Sequence, residues 1–445
     1  MKRFIARFIA RFIVVVLDGY GIGAMDDVTQ LRPQDRGANT ARSIFKALPE
    51  LRLPTLESLG LGNAMQAASS HPLEGPAIVE SCCYGVHNLA HFGADTFWGH
   101  QELMGTKPKK GESGPILTKL PAIREALEAA GHRVRFYSGD AGNNAAGPSE
   151  SFPSEHGILI VNEGVTIGDN LETDLGDNYN VTAALDLVPF DEVKKIGLLV
   201  RSLVRSSRVI VFGGLGVGLE NLLEAYESRH GYAGVNAPRS GVYSRGYQVL
   251  HLGFGVNAEV QTPAVLDKAG IPTVLIGKVA DIVENPSSGR RPDFSRNLGK
   301  SIPGVDTEEV LAEAARTMDS LEYGFVCVNV QETDLAGHRE DPGLYAEKLV
   351  LADQGIRKIM DKMGDEDIMV VTADHGNDPV IGHPQHTREK TPVLVWGRNL
   401  APAFLGERAS LADTGATVAD FFQARPPESG LSYLEFLKQI RKTRL

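Results

Sequence analysis

The sequence predicts an α/β protein, in which a mainly parallel sheet is sandwiched by helices and a smaller α/β domain is inserted into the chain. Apolar, β-branched runs alternate with amphipathic helical patterns, which is typical of parallel sheets. The length of 445 residues exceeds what one core usually holds, so two domains are expected. The polar, Gly- and Pro-rich run TKPKKGESGP (106–115) interrupts this alternation and indicates a hinge.

The larger domain is expected to form from residues 1–105 and 251–445. In its first part, FIVVV (12–16) predicts a buried strand and PTLESLGL (54–61) a short helix. In its second part, helix and strand patterns alternate, and Gly270 ends the first of these helices. These patterns cover residues 262–282, 308–321, 324–330, 345–363 and 368–372.

The inserted domain is expected over residues 106–250. PAIREALEAAGHRVRFY (121–137) has the pattern of a helix, a glycine stop and a strand. A strand, a helix and a strand are then predicted by GILIVNEG (157–164), FDEVKKIGLLVRSLV (190–204) and SRVIVFGG (207–214). This order predicts a small α/β domain.

Asp374 and His375 lie where the buried strand IMVVT (368–372) is expected to run into a loop. Catalytic groups of open α/β sheets usually lie at such strand ends. One carboxylate oxygen and one neutral imidazole nitrogen suit Mn²⁺, Zn²⁺ or Fe²⁺. An ordinary loop is the alternative for this pair alone. His386 follows in HPQHTREKTPV and can add a third ligand.

Three further segments contain side chains that suit a metal site. Asp18 ends the strand FIVVV and precedes glycines that let the backbone turn closely around a ligand. Asp334 and His338 are four residues apart, so a helical turn would place both on one face. Thr96, in ADTFWGHQELMG, carries a hydroxyl that becomes a nucleophile beside metal ions. Helix capping is the alternative for Asp18, Asp334 and Thr96 taken singly.

Together these residues form two predicted ligand sets. The first contains Asp18, Thr96, Asp374 and His375, and the second contains Asp334, His338 and His386. Two divalent cations held a few ångströms apart can clamp the attacking and leaving oxygens of a phosphoryl group. The sequence therefore predicts a two-metal site for phosphoryl transfer.

The order of these motifs resembles that of a known family. VVLDGYGIG, ADTFWGHQELMG, DLAGHRED, TADHGNDP and HTREKTPVLVW are similar to the alkaline-phosphatase superfamily of metalloenzymes, and within it to the prokaryotic phosphopentomutases. GKVADI (277–282) adds a further match. The resemblance extends from about residue 12 to residue 397 and implies an alkaline-phosphatase-like fold with an inserted cap domain.

The resemblance also implies roles for individual residues. Thr96 is the expected phosphorylated nucleophile, and Mn²⁺ is the foremost candidate for both metal ions. Lys278 and Arg239 are candidates for the distal phosphate of the substrate, because an ammonium and a guanidinium suit phosphate oxygens. For both residues the alternative is an ordinary surface cation. The implied activity interconverts ribose 1-phosphate and ribose 5-phosphate, with a sugar bisphosphate as candidate activator and the cap excluding water.

Several segments depart from the family pattern. Asp334 is offset by one residue, and Phe97 and Trp98 replace small hydroxyl residues. VNEGVTIGDNLETD (161–174) and FGGLGVG (212–218) differ from the segments that contact substrate in the family. Another phosphosugar therefore stays open as the substrate.

Two alternatives to a mutase remain. A metal-dependent phosphatase or sulfatase-like hydrolase would use the same ions, but hydrolysis does not need a large insertion that retains and reorients its substrate. A non-catalytic metal protein would close its metal sites rather than leave a hydroxyl beside the ions.

Composition restricts the partners. The net charge of −11 argues against binding nucleic acid or anionic membranes through bulk charge, and no segment approaches the about 20 apolar residues of a membrane span. The three cysteines indicate no disulfide framework, so the cytoplasm is expected. The start, MKRFIARFIARFIVVV, is basic and apolar but lacks a small-residue cleavage site, so we expect an extended or duplicated start in front of the first strand rather than a signal peptide. A small phosphosugar is the predicted partner, and the oligomeric state is left open.

Overall fold

A computed structural model describes residues 10–69, 75–80, 82–139, 155–172, 175–288 and 298–441. The expected extension before the first strand lies in residues 1–9, outside the described residues, as do the last two residues of VNEGVTIGDNLETD. The chain forms two compact units, the first from residues 1–108 and 257–445 and the second from residues 109–256. No helix among the described residues is both long and apolar enough to cross a membrane.

Sixteen strands occur among the described residues. In chain order they are β1 (Arg11–Leu17), β2 (Cys83–His87), β3 (Val134–Tyr137), β4 (Ile158–Val161), β5 (Val165–Asp169), β6 (Asn178–Ala184), β7 (Arg208–Gly214), β8 (Tyr226–Arg229), β9 (Tyr232–Val235), β10 (Gln248–Gly253), β11 (Thr273–Ile276), β12 (Lys300–Ile302), β13 (Gly324–Val330), β14 (Ile368–Thr372), β15 (Thr391–Trp396) and β16 (Ala403–Arg408).

Sixteen α-helices occur in the same residues. They are α1 (Val28–Leu31), α2 (Thr40–Ala47), α3 (Pro54–Ser58), α4 (Leu61–Ala68), α5 (Thr96–Leu103), α6 (Leu120–Ala129), α7 (Phe190–Leu203), α8 (Leu219–Glu224), α9 (Ala237–Ser240), α10 (Thr262–Lys268), α11 (Val279–Ile282), α12 (Thr307–Ser320), α13 (Glu332–His338), α14 (Pro342–Asp361), α15 (Ala412–Phe421) and α16 (Leu434–Gln439).

The first unit is built on an eight-stranded sheet with the order β12-β11-β13-β1-β14-β15-β2-β16. The five strands from β12 to β14 are parallel to one another. Strand β15 is antiparallel to both of its neighbours, and β2 and β16 pair in parallel. The expected mainly parallel sheet is confirmed, with β15 as its reversed strand.

Helices cover both faces of this sheet because the central strands are apolar on both sides. In β1, Ile13 and Val15 pack into one hydrophobic cluster, whereas Val14 and Val16 pack into another on the opposite face. The first cluster includes residues of α2, α12 and α14, and the second includes residues of α10, α15 and α16. Burial on both faces is characteristic of parallel sheets in α/β proteins.

The second unit contains a six-stranded sheet with the order β10-β7-β6-β5-β4-β3 and a two-stranded sheet of β8 and β9. Only β6 and β7 are parallel within the six-stranded sheet. Helices α6 and α7 pack on one face through residues such as Ile123 and Ile196. The unit is an α/β domain whose sheet is mostly antiparallel, and a tight turn at Asn162 and Glu163 connects β4 to β5.

Candidate active site

Three carboxylates lie at one edge of the large sheet because they follow three neighbouring strands. Asp18 comes directly after β1, Asp374 comes after β14, and Asp334 lies in α13 just after β13. The carboxyl ends of parallel strands meet at the same sheet edge. All three carboxylates are buried, with at most 1% of each residue exposed. Buried carboxylates this close together require positive charge between them.

Thr96 brings a hydroxyl to the same place. It is the first residue of α5, and the preceding Asp95 caps this helix by accepting a hydrogen bond from the Trp98 amide. The Thr96 Oγ1 hydroxyl donates to Asp374 Oδ2 at 2.8 Å and lies 3.4 Å from Asp18 Oδ1. The capping function therefore belongs to Asp95, which leaves the Thr96 side chain directed at the carboxylates.

His375 lies between the carboxylates of the first predicted set. Its Nε2 atom is 3.4 Å from Asp18 Oδ1 and 3.3 Å from Asp374 Oδ2. Its Nδ1 atom lies 2.9 Å from the carbonyl oxygen of Gly376, so Nδ1–H donates there and the ring is held by the backbone. The structure thus brings Asp18, Thr96, Asp374 and His375 together.

The second predicted set is also assembled. His386 Nε2 lies 3.3 Å from Asp334 Oδ1, and His338 Nε2 lies 3.4 Å from Asp334 Oδ2. Asp334 and His338 share one face of α13, which shows that their spacing of four residues is compatible with a common site.

The orientation of the two imidazoles fits a cation. His338 Nδ1 lies 2.7 Å from the carbonyl oxygen of Pro384, and His386 Nδ1 lies 3.2 Å from that of Ala94. Since each Nδ1–H donates to a carbonyl, each neutral ring keeps its lone pair on Nε2, and these two Nε2 atoms are 3.1 Å apart. Despite burial, the Asp334 carboxylate raises the pKa of His338, so a proton or a metal ion can occupy the space between the two rings. With both rings neutral, their lone pairs and the Asp334 carboxylate suit a divalent metal.

The described residues contain two groups of possible ligand atoms, and within each group all of these atoms lie within 4.8 Å of one another. One consists of Asp334, His375 and His386, and the other consists of Asp18, His100 and Asp374. The His375 ring centroid is 4.0 Å from that of His386, and His375 Nε2 also lies near Asp18 and Asp374. The two groups therefore form one continuous cluster. The residues present therefore fit two divalent cations.

His100 was not among the predicted site residues. It is fully buried in α5, one turn after Thr96, and its Nδ1 lies 3.1 Å from Asp374 Oδ2. Its Nε2 lies 2.7 Å from Asn329 Oδ1, and the Asn329 amide donates to Asp18 Oδ2 at 2.9 Å. The spacing of four residues from Thr96 was the available signal, since it places both side chains on the same helix face.

The carboxylates govern the protonation of the histidines. Burial disfavours a charged His375, but the carboxylates of Asp374, Asp18 and Asp334 outweigh burial and raise the pKa of His375 to about 10. Burial and the nearby charge of His375 lower the pKa of His386 despite Asp334. The three buried carboxylates therefore draw positive charge to this place, which the Lys278 ammonium and protonated imidazoles supply here and which metal ions could supply instead.

The two residues predicted to bind the distal phosphate have different locations. Lys278 lies in the carboxylate cluster, with Nζ 3.0 Å from Asp18 Oδ2 and 3.5 Å from Asp334 Oδ2. Arg239 belongs to α9 in the second unit and forms an ion pair with Glu227 at 3.1 Å. The structure brings Lys278, but not Arg239, into the cluster described for the first unit.

Comparison with known proteins identifies the family. Residues 10–426 match the Metalloenzyme superfamily. A phosphopentomutase of Symbiobacterium thermophilum is 31% identical over 98% of this chain and 99% of its own length. A phosphopentomutase of Pseudothermotoga lettingae is 29% identical over 96% of this chain and 99% of its own length. One of Anaeromyxobacter dehalogenans is 28% identical over 95% of this chain and 97% of its own length. The chain therefore belongs to the Metalloenzyme superfamily, as a phosphopentomutase-like member of it.

Proposed function

We propose that this protein is a phosphosugar mutase that interconverts ribose 1-phosphate and ribose 5-phosphate through a phosphothreonine at Thr96. The observation that carries the proposal is the position of the Thr96 hydroxyl, 2.8 Å from Asp374 at the edge of a cluster of carboxylates and imidazoles. Relatives named phosphopentomutase align with nearly the whole chain and support the choice of substrate.

Two divalent cations are assigned to the cluster. Asp18, Asp374 and His375 would hold one next to Thr96, and Asp334, His338 and His386 would hold the other. The mixture of carboxylate oxygen and imidazole nitrogen suits Mn²⁺, Zn²⁺ or Fe²⁺, and Mn²⁺ is the foremost candidate because the resemblance to phosphopentomutases implies it. When bound, these ions supply positive charge that stabilises the transferring phosphoryl group and lowers the pKa of the Thr96 hydroxyl.

The protein residues orient the transfer. Asp374 and Asp18 fix the direction of Thr96 Oγ1, while Asn329 holds the Asp18 carboxylate by a hydrogen bond. Phospho-Thr96 gives its phosphoryl group to a free hydroxyl of the sugar monophosphate. The bond from phosphorus to Oγ1 breaks, a bond to the sugar oxygen forms, and the sugar proton leaves to restore the Thr96 hydroxyl. The other phosphate of the resulting bisphosphate then returns to Thr96.

The second phosphate of the bisphosphate needs its own cations. Lys278 stays the proposed ligand of this phosphate because an ammonium suits phosphate oxygens, and the phosphate would have to compete with Asp18 and Asp334 for it. Arg239 is assigned to the distal phosphate as a residue of the second unit. A sugar bisphosphate would act as the activator that first phosphorylates Thr96. We place the enzyme in the cytoplasm, consistent with three buried free thiols at Cys82, Cys83 and Cys327.

The test separates isomerisation from hydrolysis. The Mn²⁺-loaded protein is primed with a pentose bisphosphate and given ribose 5-phosphate, ribose 1-phosphate or a hexosamine phosphate. Isomerised sugar phosphate and inorganic phosphate are then measured separately. We expect isomerisation of the pentose phosphates with little free phosphate. Release of inorganic phosphate from every sugar phosphate, without any isomer, would contradict the proposal and establish a phosphatase.

A further inference from the structure

The segment that leads into the nucleophile helix has no regular secondary structure. Residues 89–93, here called the nucleophile loop, connect β2 to the Asp95 cap of α5. A loop without helix or strand bonds keeps its position only through bonds from other groups. Because Thr96 follows this loop by three residues, whatever holds the loop also sets the position of Thr96.

The carbonyl groups of the nucleophile loop are bound by Arg388. Its Nη1 atom donates to the carbonyl oxygens of His91 and Gly93, both at 2.7 Å, and Nη2 donates to that of Leu89 at 3.1 Å. The remaining donors form a bidentate pair with Asp27, with both distances at 2.8 Å. All five guanidinium N–H donors are thus used, and Arg388 is 3% exposed.

The amide groups of the same loop are bound by Glu102. Its carboxylate accepts the Ala90 amide at 3.0 Å and the His91 amide at 2.8 Å, and it pairs with His91 Nδ1 at 2.7 Å. Glu102 is fully buried in α5, the helix that begins with Thr96. The loop is therefore held from its carbonyl side by one charged residue and from its amide side by another.

The segment that carries Arg388 also carries a candidate metal ligand. His386 precedes Arg388 by two residues, and its ring bonds to the carbonyl oxygen of Ala94, the residue between the loop and the Asp95 cap. The Arg388 amide donates to Asp35 at 2.8 Å, and its carbonyl accepts the Met25 amide at 3.1 Å. This segment therefore links the position of the nucleophile to that of a ligand.

We propose that Arg388 and Glu102 are positioning residues that hold the nucleophile loop and thereby place Thr96 Oγ1 at Asp18 and Asp374. The inference rests on the proposed function of Thr96. Lysine cannot replace Arg388, because an ammonium has three donors and cannot form the planar bidentate pair with Asp27 while reaching three carbonyls.

Arg11 offers a matched control within the same unit. It is also buried, pairs with Asp367 at 2.6 Å and donates to the carbonyl groups of Met318 and Lys362. It begins β1, at the strand end opposite Asp18. Arg11→Lys therefore removes similar bonds from a buried arginine without touching the nucleophile loop.

The experiment compares Arg388→Lys and Arg11→Lys in the full-length, Mn²⁺-loaded enzyme. Intact-mass spectrometry follows the rate of Thr96 phosphorylation by a sugar bisphosphate, steady-state assays give kcat and KM, and thermal unfolding gives Tm. Both variants should have a lower Tm. Only in Arg388→Lys should Thr96 be phosphorylated more slowly, by about 10²-fold, because a misplacement of about 1 Å has that effect on the rate. The KM of this variant should change little.

Glu102→Gln provides a second variant should Arg388→Lys not fold. It replaces one oxygen that accepts loop amides by an NH₂ group, and it should also lower kcat with little change in KM. Equal phosphorylation rates in Arg388→Lys and Arg11→Lys, or an unchanged rate in Glu102→Gln, would overturn the positioning role. A wild-type enzyme that isomerises substrate without any phosphorylated Thr96 would instead overturn the proposed function, and the positioning role with it.

Discussion

Gly99 lies directly against the backbone of Asp374. A Cβ atom added to Gly99 would lie 2.5 Å from the Asp374 carbonyl oxygen and 2.8 Å from the Asp374 Cβ. The absence of a side chain at Gly99 therefore lets α5 approach the end of β14. This approach allows the hydroxyl at the start of that helix to reach the carboxylate at the end of the strand.

The first prediction follows from this contact. Gly99→Ala should push α5 and Asp374 apart and lower kcat by about 10²-fold, since a displacement of about 1 Å has that effect. Gly343→Ala is the control, because its added Cβ would meet only the Asp341 carboxylate at 3.3 Å, outside the candidate active site. Steady-state kinetics of both variants make the comparison, and equal kcat values would refute the packing argument.

The second prediction concerns the hydroxyl of Thr96. Thr96→Ala should abolish isomerisation, whereas Thr96→Ser should retain part of it because the nucleophilic oxygen remains. Intact-mass spectra recorded during turnover should contain a phosphorylated form of the wild type and of Thr96→Ser only. An active Thr96→Ala enzyme would exclude a phosphothreonine mechanism.

The third prediction concerns metal dependence. Exhaustive chelation should remove activity, and Mn²⁺ should restore it in the wild type. His386→Ala should weaken metal binding and abolish turnover. It removes a proposed metal ligand, the imidazole whose Nε2 lies beside the Asp334 carboxylate. Calorimetric titration of Mn²⁺ gives a readout independent of activity. Full activity after chelation would contradict the assignment of a metal centre.

The fourth prediction concerns stability at low pH. His87 is buried between the hydroxyls of Thr372 and Thr414. Burial, aided by Arg408 and opposed by Glu102, lowers the pKa of His87 from 6.5 to about 3. The unfolded chain therefore binds more protons than the folded one in this window, so the contribution of His87 to stability is present above pH 6.5 and is lost as the pH falls toward 3.

Urea unfolding at several pH values in this window tests the effect. The free energy of unfolding of His87→Gln should depend less steeply on pH than that of the wild type, by up to about 1.4 kcal/mol per pH unit. Parallel pH profiles for the two proteins would show that His87 takes up no proton on unfolding.

The sequence was most informative where local spacing determines geometry. The apolar runs before Asp18 and Asp374 predicted strand ends, and the resulting sheet places both carboxylates at one edge. The spacing of Asp334 and His338 predicted a shared helix face, and both lie at the cluster. Each of these inferences needs only the period of a strand or helix and the rule that parallel strands end together.

The sequence was less informative where distant segments must meet. The contact of His100 with Asn329 joins residues separated by 229 positions, and no local pattern predicts it. Likewise, the nucleophile loop depends on Arg388, which is remote in the chain, and the HTREKTPV motif gave no indication of that contact. The antiparallel sheet of the second unit depends on pairings that a series of strand and helix patterns does not determine.

The reversed strand β15 has a consequence for how the centre can vary. Because β15 runs back, the chain leaves the sheet edge after Asp374 and returns to it before Thr391 within a single connector, residues 373–390. That connector carries Asp374, His375 and His386. A deletion between His375 and His386 would change the distance between these two candidate ligands without touching a strand of the sheet. The length of this connector therefore sets how the donor atoms of the candidate site are spaced.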